Sequence, residues 1–163
     1  MNPVFIQGGS YIDVRGAMRF CNDFDMSMVR RFYTIANSSG LPVRGWIGHK
    51  KETKWFFPMK GVTAIDVEPM DDNRVERAEG VVGSRAERAD RVDCAEAESN
   101  DSTCSTRSTR LKKYVLDANT PSVLKVPPGN WFCIKQDGNA EVMVFSNCKV
   151  GEFKDDDFRR PCE

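Results

Sequence analysis

One histidine in 163 residues, His49, sets the narrowest limit on what this chain can do. A centre built on three histidines is excluded, and a Ser-His or Cys-His nucleophile would have to be assembled around that one imidazole. Net charge is missing as well. Lys and Arg number 24 and Asp and Glu number 24, so no overall field gathers nucleic acid or an anionic membrane, and an anionic ligand must be caught by local groups. No apolar run approaches the roughly 20 residues that cross a bilayer. The opening MNPVFIQGGSYIDV also lacks the basic-then-apolar order of a secretory signal, which leads to the expectation of a cytoplasmic protein. The six cysteines, Cys21, Cys94, Cys104, Cys133, Cys148 and Cys162, contain no C-x-x-C pair. In a reducing compartment they are expected to be free thiols rather than a disulfide frame or a zinc site.

Aromatic residues, Ile, Leu and Met are all absent from residues 71–110, which are crowded with Arg, Asp, Glu, Ala, Ser and Thr. Such a stretch has little to bury, so it reads as a flexible, solvent-exposed insertion. Ser84-Arg85-Ala86-Glu87 has capping-box spacing and predicts a short helix to about Glu98. A nucleic-acid arm is the functional alternative, but its arginines are interleaved with acids and no aromatic side chain is present to stack on bases.

What the remainder holds is strand pattern. Alternation and turn signals predict strands at Val4–Ile6, Ala17–Cys21, Met28–Ala36, Val43–Gly48, Lys54–Met59 and Val62–Glu68. After the insertion, further strands are expected at Lys113–Leu116, Ser122–Val126, Asn130–Lys135 and Glu141–Ser146, separated by Pro127-Pro128-Gly129 and by Gln136–Asn139. In the third strand Arg31, Tyr33 and Ile35 share one face and Phe32 and Thr34 the other. About ten short strands without helix alternation predict a single all-β domain over residues 1–163, an antiparallel sandwich or barrel of jelly-roll kind.

Three segments are richer in special residues than a barrel core requires: DVRGAMRF (Asp13–Phe20), RGWIGHKKETK (Arg44–Lys54) and LKVPPGNW (Leu124–Trp131). With the DDDFR ending they resemble, in order and spacing, the sugar-nucleotide branch of the cupins, over about 120 residues that exclude the insertion. That branch contains the dTDP-4-dehydrorhamnose 3,5-epimerases and the dTDP-4-keto-6-deoxyhexose 3,4-ketoisomerases. The resemblance implies a cupin-type double-stranded β-helix, a homodimer, and a nucleotide sugar held at the barrel mouth for surface-polysaccharide synthesis. It implies proton transfer beside a C4 ketone, with no metal and no redox cofactor required, and no nucleic-acid or membrane partner.

Residue by residue, the family's diphosphate-binding arginines match Arg15 and Arg44, the guanidinium fork being suited to phosphate. The epimerase base would stand at Ile47 and is missing, whereas the second histidine of the ketoisomerase R-G-x-H-A-H pattern falls on His49. A lysine that steadies the enolate matches Lys54, seven residues before Gly61. The epimerases' tyrosine lands near Val144, and a later histidine lands on Phe132. In the general cupin metal pattern, Ile47-Gly48-His49, Glu52 and Phe132 supply one histidine where three are needed, which argues against a metal centre.

The resemblance therefore implies an isomerase closest to the 3,4-ketoisomerases, with His49 and Lys54 at the reacting carbon and Arg15 and Arg44 on the substrate. An inactive cupin that binds a nucleotide sugar or a partner protein is the alternative, and a 3,5-epimerase with a rearranged base is another. Without the resemblance, His49 is a strand-end polar residue, Arg44 a surface ion-pair partner, Arg15 turn chemistry and Lys54 an edge lysine. Trp46, Phe56 and Trp131 are then core or dimer contacts.

Overall fold

The computed structural model describes residues 1–37, 43–70 and 111–161. The insertion 71–110, its expected helix, most of the turn after Ala36, and Cys94, Cys104 and Cys162 lie outside the described residues. Among the described residues twelve strands are formed: β1 (Val4–Gln7), β2 (Gly9–Asp13), β3 (Gly16–Phe20), β4 (Arg31–Ala36), β5 (Val43–His49), β6 (Lys54–Lys60), β7 (Val62–Pro69), β8 (Lys112–Asp117), β9 (Ser122–Val126), β10 (Asn130–Gln136), β11 (Glu141–Ser146) and β12 (Phe158–Arg160). Two five-stranded antiparallel sheets, ordered β1-β9-β6-β11-β4 and β12-β5-β10-β7-β8, pack face to face, and β2 and β3 form a separate hairpin. This is the jelly roll expected from the strand pattern. Two strands exceed that expectation, β2 and the short β12.

Alternation decides which side chains enter the space between the sheets. On β7, Thr63, Ile65 and Val67 point inward and are buried. On β4, Tyr33 and Ile35 join the core while Phe32 is 67% exposed. The core unites Phe56, Ile65, Leu116, Leu124, Ile134, Val142 and Val144, each at most 1% exposed. Burying each such side chain contributes about 1.5–3 kcal/mol before entropy is counted. Val144, aligned with the epimerases' tyrosine, is thus a packing residue here. A smaller cluster of Trp55, Val123 and Phe145 takes Phe24 and Val29 against it from the segment before β4.

Two irregularities shape the functional end. Between the pairs Phe132↔Ile47 and Ile134↔Arg44, β5 carries one residue more than β10. Arg44 and Ile47 would face opposite ways in a regular strand, but with the bulge between them both line the same cleft. At Gly48 the opposite constraint applies: a Cβ there would lie 2.7 Å from the Trp131 ring, so the indole packs directly on the β5 backbone.

Candidate active site

His49 ends β5 and Lys54 begins β6, so the turn Lys50–Thr53 determines how they stand to one another. That turn is held from far away in sequence. The Asp156 carboxylate, just before β12, accepts the backbone N–H groups of Lys50 at 2.7 Å, Lys51 at 2.9 Å and Glu52 at 2.9 Å. Asn147 Oδ1 accepts the next one, from Thr53, at 2.9 Å. Behind the turn, the Gly129 N–H of the Pro-Pro-Gly segment donates to the His49 carbonyl at 2.7 Å.

The Asp156 backbone carbonyl lies 2.6 Å from His49 Nδ1. A carbonyl only accepts, so the neutral ring carries its proton on Nδ1 and keeps its lone pair on Nε2. Burial, then the neighbouring Lys54 charge, push the imidazole below its ordinary 6.5, outweighing the opposite pull of Glu52 and Asp156. The result is an uncharged imidazole at neutral pH with one nitrogen available to take a proton.

Glu52 is the hub beside it. Its Oε1 accepts Lys54 Nζ at 2.5 Å, Arg31 Nη2 at 3.1 Å and the Ser146 hydroxyl, and its Oε2 lies 3.4 Å from His49 Nδ1. Burial alone would raise the carboxyl, but the hydrogen bonds from Lys54 and Ser146 and the Lys54 charge outweigh it and hold it at about 2. Lys54, itself only 4% exposed, also donates to the Tyr33 hydroxyl at 3.2 Å. Arg31 and Lys54 both stand over the Tyr33 ring, 5.4 Å from its centroid.

These groups line a cleft of about 700 Å³ between the sheets, with Ile47, Phe132 and Ile134 as apolar wall and Lys149, Lys154 and Arg159 among the cations around it. Ile47 and Phe132, at the cupin ligand positions, bring no donor atoms to it. Arg44 reaches the same cleft and donates from Nε to Asn37 Oδ1 at 3.2 Å. Of the residues singled out from sequence, His49, Lys54 and Arg44 are brought together here. Arg15 is not among the lining residues: it sits at the β2–β3 turn, 83% exposed, paired with Asp13 at 2.5 Å. Trp131 and Phe56 are buried as expected, whereas Trp46 is half-buried with Arg160 stacked on it at 4.2 Å. Among the described residues Cys21, Cys133 and Cys148 form no disulfide with one another.

Asp156, Tyr33, Arg31 and Ser146 were not legible as site residues. Asp156 meets His49 across 107 positions with nothing local to announce it. For Arg31 and Tyr33 the signal existed, since the alternation of β4 put them on the inward face. From the sequence Glu52 reads only as a candidate metal ligand, whereas in the fold it is an ion-pair hub.

The two depressed groups give stability a defined pH dependence. His49 is kept neutral in the fold, so its contribution is present above 6.5 and is lost as pH falls below that value. Glu52 is kept ionised, so its contribution is present above 4.5 and is lost between 4.5 and about 2, on the order of 3 kcal/mol. Urea unfolding across this range is therefore expected to lose its low-pH step in Glu52→Gln relative to the parent. An unchanged acid slope in that variant would contradict the assignment.

No family profile matches the chain, and no curated protein sequence is similar to it. Solved structures do resemble it. The QdtA 3,4-ketoisomerase from Thermoanaerobacterium thermosaccharolyticum, crystallised with TDP and, as a point mutant, with TDP-4-keto-6-deoxyglucose, superposes with a TM-score of 0.61 at 14% identity, over 98% of this chain and 88% of that one. The WlaRB TDP-quinovose 3,4-ketoisomerase from Campylobacter jejuni gives 0.59 at 14% identity, over 98% and 93% of the two chains. The rmlC epimerase of Mycobacterium tuberculosis gives 0.59 at 14% identity, over 91% of this chain and 64% of that one. The chain thus has the jelly-roll fold of the sugar-nucleotide cupins.

Proposed function

We propose that the chain is a sugar-nucleotide isomerase that carries out 3,4-ketoisomerisation of a dTDP-4-keto-6-deoxyhexose. The observation that carries this reading is the Nδ1-protonated His49 with Nε2 unused, in an apolar-walled cleft beside the Lys54 ammonium. A hydrogen on the carbon next to a ketone is acidic only if the resulting enolate is stabilised, so the reaction needs a base near neutrality and a donor at the oxygen. His49 Nε2 takes the C3 proton. Lys54 Nζ, with the Tyr33 hydroxyl it touches, stabilises the negative charge that moves onto the C4 oxygen. The enediolate is then reprotonated at carbon C4 while the proton of the C3 hydroxyl passes to the C4 oxygen, leaving the ketone at C3 and a hydroxyl at C4. Arg44 at the cleft supplies the planar fork suited to the diphosphate. Solved cupins that carry out this reaction share the fold, which supports the reading.

The β2–β3 hairpin exposes Tyr11, Ile12 and Met18, with Ile12 74% accessible. An apolar hairpin of this kind is suited to being covered by a second copy of the chain, and we read the protein as a cytoplasmic homodimer. Arg15, at the hairpin tip, reaches a nucleotide only through such an assembly. Sedimentation is expected to give about twice 18.4 kDa and to give the single-chain mass for Ile12→Glu. A parent protein that sediments as a single chain would remove the dimer.

With dTDP-4-keto-6-deoxyglucose in deuterated water, deuterium is expected to enter from solvent at C4 of the 3-keto product and, by reversal, at C3 of the remaining substrate, and not at C5. His49→Asn should slow this by about 10²–10⁴. Because the base must be unprotonated, kcat/KM should rise with pH through a value below 6.5 and be flat above it. Exchange at C3 and C5 would replace the reading with a 3,5-epimerase. Binding without exchange at either would make the protein a ligand-binding cupin, in keeping with the apolar Ile47, Phe132 and Val144.

A further inference from the structure

The carboxylate of Glu52 divides its two oxygens between different partners. Oε1 accepts Lys54 Nζ at 2.5 Å from β6, Arg31 Nη2 at 3.1 Å from β4 and the Ser146 hydroxyl from β11. Oε2 stands 3.4 Å from His49 Nδ1 at the end of β5. The other carboxylate near that ring is already engaged: Asp156 is occupied by the backbone N–H groups of the turn, and its Oδ2 is 3.9 Å from Nδ1. From β10 the ring meets Phe132, which is uncharged. Cys148 Sγ lies 3.4 Å from Ser146 Oγ, and burial pushes its thiol up, so it adds no charge at neutral pH.

Before reaction, Glu52 and Lys54 answer one another. Proton abstraction then creates two more charges: the C3–H bond breaks, its proton goes to Nε2 and makes an imidazolium, and its electron pair moves through C3–C4 onto the C4 oxygen. We infer that Glu52 and Lys54 are an exchangeable ion pair, in which Lys54 turns to the new oxyanion while Glu52, through Oε2, answers the new imidazolium. Glu52 is then a positioning residue of the proton transfer and not only the counter-ion of Lys54. Arg31 and Ser146 stay on Oε1 as Lys54 is drawn away, so the buried carboxylate is not left uncompensated. Each new charge meets an opposite charge already in place, the condition for stabilising a transition state without reorganising its surroundings. The oxyanion half of this inference rests on the isomerase reading; the coupling of Glu52 to His49 is a property of the free protein.

The test removes Lys54 first, so that Glu52 can be read through His49 alone. The single imidazole is titrated by nitrogen NMR, without substrate, in Lys54→Met and in Lys54→Met combined with Glu52→Gln. A carboxylate that faces the ring favours its protonated form, so the midpoint is expected at lower pH in the double variant than in Lys54→Met. A Glu52 that serves only to hold Lys54 has no hold on the ring once Lys54 is gone, and coincident midpoints would overturn the inference. With dTDP-4-keto-6-deoxyglucose, Glu52→Gln alone should lower kcat by about tenfold or more and leave KM nearly unchanged, because the contact it removes is made in the transition state. Glu52→Asp, which keeps the charge, should restore part of that rate. A raised KM with kcat unchanged, or equal rates in Glu52→Asp and Glu52→Gln, would also overturn it. The two measurements separate this inference from the wider reading. Deuterium exchange by the parent with coincident midpoints removes the inference and leaves the isomerase. A midpoint that falls as described in a protein that exchanges no sugar proton removes the isomerase and keeps the coupling of Glu52 to His49.

Discussion

The grip of Asp156 on the β5–β6 turn is the constraint on which the site depends. One carboxylate takes three consecutive backbone N–H groups, and the carbonyl of the same residue takes His49 Nδ1. The first set fixes where His49, Glu52 and Lys54 stand; the second fixes which nitrogen of His49 carries the proton. Both act through the C-terminal segment, so β12 and the residues before it belong to the site although they add little to the core. Charge-assisted bonds to backbone donors are also among the stronger ones available, which suits a turn that has to keep a geometry.

Around that turn the electrostatics are arranged as one anion shared among cations. Glu52 is buried and answered by Lys54, Arg31 and Ser146. Its ionised state is the condition for Lys54 to remain in an apolar cleft, because a buried ammonium without a partner would be strongly disfavoured. Lys54 in turn lowers the proton affinity of His49. His49, Lys54 and Glu52 are thus a single electrostatically coupled unit.

Much of this was legible in the sequence, for reasons that differ by element. Alternation located β4, β7, β9, β10 and β11 and divided β4 into two faces, because a strand with a two-residue period and one buried face has little freedom. It failed for β12, where Phe158-Arg159-Arg160 is too short and too charged to alternate, and for β2, where Gly9 and Ser10 read as turn. His49 stood out by scarcity, and Arg44 and Lys54 by their match to the motifs of the sugar-nucleotide cupins. What no local reading reaches is long-range closure: the partnership of Asp156 with the turn, and the extra residue on β5 that brings Arg44 to the same cleft as Ile47. The first joins residues over a hundred positions apart, and the second is a property of two paired strands rather than of either one.

The central claim is the protonation state of one ring, and the presence of a single histidine makes it directly measurable. Nitrogen NMR of the protein labelled with ¹⁵N-histidine, followed across pH, reports both ring nitrogens of His49 without overlap. The account predicts a neutral ring with its proton on Nδ1, an unprotonated Nε2, and titration below 6.5. A proton resting on Nε2, or titration above 6.5, would contradict it, because the lone pair assigned to the C3 proton would then be absent at neutral pH.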